Sequence, residues 1–444
     1  MTSPAEPTAS PARRREVIDA LRRGAVPAAG LDLFAVGMDR INAAIGDDLT
    51  TVTTGGAVFK AIRGEYGSGK TFTTRWIAER AKRANLAVAE VQISENETPL
   101  HRLETVYRRL TERLATATFP PSALRAVVDG WFYALEEDVL AGGDVSADDP
   151  AVLDTAVGLL LEQRLAVVSR TAPAFAAALR GYRTATLAGE TATADAVLAW
   201  LGGQPHVAAA ARRAAGVRGD LDHFAALSFL QGLLVVLRDS GHPGLLLVLD
   251  EVETLQRVRS DARDKALNAL RQLIDEVHSG RFPGLYLLIT GTPAFYDGPQ
   301  GVQRLAPLAQ RLAVDFTADP RFDNPRAVQI RLPGFTHESL VELGTRVRDL
   351  YAVGATGTGA DRIAGLVDDD FVAQFARAVA GGLGGRVGVA PRLFLKKLVD
   401  VLDRVDQVPD FRPREHYPLT LNDTELTDVE RNAARADDIA LDDL

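Results

Sequence analysis

Two hydrophobic rhythms run along the chain. Short, mostly apolar runs at 58–62, 86–93, 285–290 and 327–332, and the fully apolar run 245–249, read as strands. Between and after them the apolar positions fall at helical spacing. Over 71–84, Phe72, Trp76 and Ile77 cluster near one face while Arg75, Glu79, Lys82 and Arg83 lie mostly off it. Leu100, Leu103, Val106, Tyr107, Leu110 and Leu114 keep the same period, and Thr98-Pro99 supplies a cap and first turn. Further helices are expected at 124–140, 151–169, 194–201, 220–238, 338–351, 369–380 and 392–405. A short helix at 15–23 carries Val17, Ile18 and Leu21 on one face. An apolar stretch broken by glycines, 30–39, leads into another helix at 40–45.

Strand, loop, helix and strand in that order open an α/β sheet. The expected organisation is a core at 13–93 and 245–335, divided by a helical insertion at 94–244. A helical lid follows at 336–408. The Pro- and Ser-rich residues 1–12 and the acidic tail 409–444 read as unstructured.

The most specific chemistry lies between the first strand and its helix. Gly64, Glu65, Tyr66, Gly67, Ser68, Gly69, Lys70 and Thr71 fit the pattern of a phosphate-binding loop in full. The glycines let several N–H groups turn toward one anion, and the helix that starts there adds the positive end of its dipole. Lys70 is placed for the β- and γ-phosphates, and the Thr71 hydroxyl for Mg²⁺. A chance match is the competing explanation, but the apolar strand before the loop and the amphipathic helix after it supply the required context.

The run 245–249 ends in Asp250 and Glu251. Two acids at the end of a buried strand need a cation or a polar cleft. That strand end faces the ligand crevice of an open α/β sheet. Asp250 would hold the Mg²⁺ shell, and Glu251 would orient and deprotonate water. Helix capping by Asp250 with a solvated Glu251 is the plainer alternative. The strand 285–290 ends in Thr290-Gly291-Thr292-Pro293. The Thr290 hydroxyl can meet the terminal phosphate or the water, or the four residues form an ordinary turn. Arg311 and Arg392 are candidates for stabilising charge during phosphoryl transfer, Arg311 with Arg304, Arg321 and Arg326 as rivals. A surface ion pair is the alternative for each.

Composition narrows the classes. No cysteine is present, which excludes disulfides, thiolate zinc sites and cysteine nucleophiles. The net charge of -9 removes a whole-molecule basic field for nucleic acid, while local patches around Arg108, Arg109, Arg113, Arg212 and Arg213 stay open. The longest aliphatic run is too short to cross a bilayer. The basic cluster near the N-terminus is not followed by the apolar core of a secretory signal. A cytoplasmic protein without a membrane span is expected.

The segments DALRRGAVPAAGLDLFAVG, GEYGSGKT, LLLVLDEVETL, LLITGTPAFYD, PLAQRL, RLPGF and VAPRLFLKKLVDVLDR occur in one order. Together they resemble the ATP-binding proteins of BREX bacteriophage-exclusion systems, the BrxC/BrxD family, the smaller BrxD type above all. The family is similar to the initiator (ORC/Cdc6-like) branch of AAA+ ATPases. The resemblance implies a three-layer parallel sheet ordered 5-1-4-3-2 with a C-terminal helical lid. It implies ATP and Mg²⁺ as cofactors, Thr290 or Thr292 as first sensor, and Arg392 as second. It also implies an adenine pocket lined by the Phe34–Gly37 region, Val36 included, with Phe72 at the start of the loop's helix. The implied partners are a helicase-like protein and a DNA methyltransferase complex, with DNA and further copies of the chain as additional candidates. Too few residues follow 405 for the winged-helix domain that initiators carry, so DNA binding by that route is not expected.

Overall fold

The computed structural model describes residues 10–383, 388, 391–419, 424, 426 and 431. Residues 1–9, Val389 and Ala390 ahead of Arg392, and most of the acidic tail past 419 lie outside the described residues.

Five strands form one parallel sheet: β1 (Val58–Arg63), β2 (Ala87–Gln92), β3 (Leu245–Asp250), β4 (Leu285–Gly291) and β5 (Gln329–Arg331). Their spatial order is β2-β3-β4-β1-β5, which is the expected 5-1-4-3-2 read from the other edge. The register sets Ile62 opposite Thr290 and Gln92 opposite Asp250, so the polar strand ends share one edge.

The central strands β3 and β4 read as nearly continuous apolar runs because both faces are covered. In β3, Leu245, Leu247 and Leu249 enter one core, and Leu246 and Val248 the other. In β4, Leu285, Leu287 and Ile289 are divided in the same way from Tyr286 and Leu288. The period of two thus distributes one strand between two hydrophobic layers.

The first layer is capped by the helices between β2 and β3, from Leu103–Arg113 to His223–Asp239. Phe229 is its aromatic centre, edge-on to Phe175 at 5.3 Å, Trp200 at 5.5 Å and Tyr107 at 5.7 Å between ring centroids. Gly232, one helical turn on, makes room for this: a Cβ there would lie 2.6 Å from the Phe175 ring. The helices Pro173–Leu187, Ala209–Ala214, Ser260–His278 and Gly359–Leu366 were not anticipated from the pattern. Pro173 sits in the first turn of its helix, directly after the helix Pro150–Thr171 ends, so one apolar-rich stretch becomes two helices packed on each other.

The second layer joins the helices Pro11–Arg22, Asp39–Thr53 and Lys70–Arg83 to those after β5: His337–Ala352, Gly359–Leu366, Asp369–Gly381 and Pro391–Gln407. The first of these begins at Pro11, inside the stretch 1–12 that composition marks as unstructured. The early tail also departs from that expectation. Phe411 is buried, Tyr417 packs edge-on against Phe375 at 5.9 Å, and Pro413–His416 is helical. Two aromatic side chains anchor residues whose neighbours are charged, because their apolar area outweighs the ordering cost of a few residues.

Candidate nucleotide-binding site

The loop between β1 and the helix Lys70–Arg83 forms a cradle. Gly67 and Gly69 adopt left-handed angles, φ 81 and 90, which other residues reach only under strain. At Gly64 a Cβ would stand 2.3 Å from the Ser68 hydroxyl. No side chain caps the helix start, so its first-turn N–H groups point into the loop. The Ser68 hydroxyl is buried without a hydrogen-bond partner. A cradle of donors with a positive helix end and an unsatisfied hydroxyl suits an anion with several oxygens.

Lys70 is buried. Its Nζ donates to the carbonyls of Gly64 at 2.9 Å and Glu65 at 3.3 Å and lies 4.9 Å over the Tyr66 ring. Burial pulls its pKa below the usual lysine value despite the surrounding carboxylates.

Opposite the loop, β3 delivers Asp250 and Glu251. The Thr71 hydroxyl is 3.5 Å from Asp250 Oδ2. Asp250 Oδ1 accepts from the Thr290 hydroxyl and, at 3.1 Å, from the Glu251 N–H. That N–H is also 3.0 Å from Thr290 Oγ1. Glu251 has φ 59, a left-handed angle that costs a non-glycine residue about 1–3 kcal/mol. The bend turns its side chain to the sheet edge, where Gln92 Nε2 donates to Glu251 Oε2 at 2.8 Å. Thr71 and Asp250 are hard oxygen donors close enough to serve one cation. Among the described residues no group of three or more His, Cys, Asp or Glu forms a metal site. That fits Mg²⁺, which takes one or two protein oxygens and completes its shell with phosphate and water.

Loop, carboxylates and residues of the segments after β5 line one cavity of about 870 Å³, within the range of roughly 300–1,000 Å³ common for ligand pockets. Part of its lining is apolar: Phe34, Val36, Met38, Ile41, Phe72 and Phe335. Phe34 and Phe72 meet edge to face at 5.4 Å. An aromatic, mostly apolar pocket beside an anion cradle matches a flat heterocycle joined to phosphates.

The chain matches the family described as BREX system ATP-binding protein BrxC/D over residues 9–421. It belongs to that family. Among solved structures it is similar to the ORC2 protein of Aeropyrum pernix in its ADPNP–ADP complexes. The identity is 13%, the TM-score 0.31, and the coverage 86% of this chain and 70% of that one. A search of curated proteins returned no match.

In this BrxC/D protein the cavity brings together Tyr66–Thr73, Asp250 and Glu251 with Phe34, Val36 and Arg392. Arg392 reaches it from the helix Pro391–Gln407, and a Cβ on Gly24 would lie 3.2 Å from its Nη1. Thr290 is fully buried and does not line the cavity; its hydroxyl is spent on the two acids of β3. Arg311 also lies outside the cavity. It is paired with Asp275 and donates to Pro307 O at 2.6 Å. Arg304 pairs with Asp264, and Arg326 with Asp47. Arg321 lines the cavity rim and pairs with Asp319 at 2.6 Å.

Two residues escaped the sequence reading. Gln92 carried a signal only as the polar end of the strand paired with Asp250. Glu253 looked like one more acid after Asp250 and Glu251. It is 4% exposed, lines the cavity, and neither carboxyl oxygen has a hydrogen-bond partner.

Proposed function

We propose that this BrxC/D-family protein is an AAA+ ATPase that binds ATP with Mg²⁺ in this cavity and hydrolyses it. Turnover drives or switches its assembly with other components of the defence system. One observation carries the reading: a glycine-rich loop with an unsatisfied Ser68 hydroxyl and a buried lysine shares one cavity with Asp250, Glu251 and apolar aromatic residues.

Each residue then has a task. The N–H groups of Gly67 to Thr71 and the Ser68 hydroxyl hold phosphate oxygens, and Lys70 swings from the Gly64 and Glu65 carbonyls to the β- and γ-phosphates. Thr71 and Asp250 would hold Mg²⁺, which would neutralise phosphate charge. Thr290 fixes the Asp250 carboxylate and the backbone of Glu251. Glu251 orients the attacking water and takes its proton once Gln92 yields its hold. Phe34, Val36 and Phe72 hold the base. Arg392 reads the phosphates from the lid, and Arg311 acts on a neighbouring copy of the chain, in line with its place outside its own cavity. Partners in the cytoplasm would be a helicase-like protein and a methyltransferase complex.

The alternative is a nucleotide-gated DNA-binding scaffold with little turnover. The Gln92–Glu251 hydrogen bond favours it, since it occupies the proposed base. Against the DNA part, arginines of the helical block are engaged by acids: Arg109 by Glu112 at 2.9 Å, Arg108 by Glu112 at 3.9 Å and Arg212 by Asp220 at 3.9 Å. Among the described residues no helix is long and apolar enough to cross a membrane.

Calorimetric ATP titration and phosphate release, with and without duplex and single-stranded DNA at matched salt, test the readings together. Lys70→Ala should abolish ATP binding. Glu251→Gln should keep binding and stop release. Full turnover in Glu251→Gln removes that residue as base; tight binding with negligible wild-type release under every condition leaves the scaffold.

A further inference from the structure

Most buried carboxyls are satisfied by hydrogen bonds, and one that is not calls for a reason. Asp250 meets the rule, with its bonds to Thr290 and Glu251 N. Glu253 does not. It sits on the short turn Val252–Gln256, its carboxyl buried, without a hydrogen bond from another side chain, and in a long ion pair 3.9 Å from Lys70 Nζ. Because the lysine tip marks where a terminal phosphate has to sit, the Glu253 carboxyl stands at the edge of that position.

We propose that Glu253 competes with the terminal phosphate for Lys70 and so sets how tightly a triphosphate is held relative to a diphosphate. This rests on the ATP-binding reading of the cavity. An ammonium at this depth can face one anion closely, and a second one nearby repels the first with little solvent screening. A terminal phosphate must draw Lys70 away from Glu253 and leave that carboxyl without its cation. The diphosphate ends farther from Glu253 and carries less of this cost. The surroundings add to it: Asp250 and Glu251 on β3 are like charges, and the neutral phenols of Tyr66 and Tyr296 face the carboxyl without neutralising it. Burial already raises the Glu253 pKa, and its own backbone N–H and the pull of Lys70 only partly offset this. The Lys70–Glu253 ion pair is long, 3.9 Å, so a phosphate can displace it without breaking a close hydrogen bond.

The test is calorimetric titration of the full chain with ADP and with a non-hydrolysable ATP analogue, in neutral buffer at matched ionic strength. Glu253→Gln keeps the shape and removes the charge. It should tighten the triphosphate analogue by about tenfold and ADP by clearly less, whereas Glu253→Asp, which keeps the charge, should retain the wild-type ratio. Equal gains for the two nucleotides, no gain, or a loss of affinity in a Glu253→Gln protein with wild-type melting would overturn the proposal. Lys70→Ala run alongside separates the levels. If it abolishes binding while Glu253→Gln changes nothing, only the competition fails. If it leaves ATP affinity intact, the site reading itself fails.

Discussion

The two faces of the sheet are built from the same residues and do different work. Leu245, Leu247 and Leu249 point under the helical block, and Leu246 and Val248 point under the N-terminal segment and lid. The first face closes over a continuous apolar layer centred on Phe229. On the second, two segments far apart in sequence, about 21–41 and 332–395, meet above the strand ends without closing, and the cavity is the gap they leave. Apolar burial alone gives a sealed layer. A site arises where the covering pieces come from different parts of the chain and polar strand ends stop them from fusing.

That contrast can be broken most forcefully at Phe229. Phe229→Ala should lower stability by about 3–5 kcal/mol, measured by denaturant titration, through loss of buried area and the void left among its aromatic neighbours. The ATP affinity of the remaining native protein should be unchanged; a parallel loss would mean that the faces are not separate. On the cavity side, Thr290→Val should cost about 1–3 kcal/mol, since Asp250 and the Glu251 N–H lose a shared partner. It should also slow phosphate release, which the Phe229 change should not do per folded molecule.

The smallest effect lies beside β5, away from the cavity lining. Asp323 accepts from Arg331 Nε at 2.8 Å and from Thr317 N at 3.1 Å. Burial pushes its pKa up, but these bonds outweigh it and hold the carboxyl below its usual value. A depressed carboxyl stabilises the fold above its unfolded pKa of about 4 and loses that contribution as pH falls through the folded value. Asp323→Asn should therefore cost about 1 kcal/mol at neutral pH. Comparison of melting at neutral and acid pH should show a smaller acid loss than in the wild type.

Much of this was legible in the chain. Five apolar runs became the five strands, and the loop from Gly64 to Thr71 lies where strand and helix patterns meet. Asp250 and Glu251 were visible because ionised groups ending a buried run need a purpose. Glu253 was not, because nothing local distinguishes a buried acid from a solvated one. The helix Ser260–His278 was passed over, its apolar positions interleaved with charges, and the early tail was misjudged because Phe411 and Tyr417 are outnumbered by polar neighbours.

By itself the sequence determined the strands, the glycine-rich loop Gly64–Thr71 and the acids Asp250 and Glu251 that follow the apolar part of β3, since these depend on side-chain period and short spacing. Tertiary structure alone decided which carboxyl faces Lys70, that Thr290 serves the acids rather than the cavity, and that the lid brings Arg392 to the loop. Burial and the approach of distant segments set those outcomes, and neither is a property of any stretch of residues read in isolation.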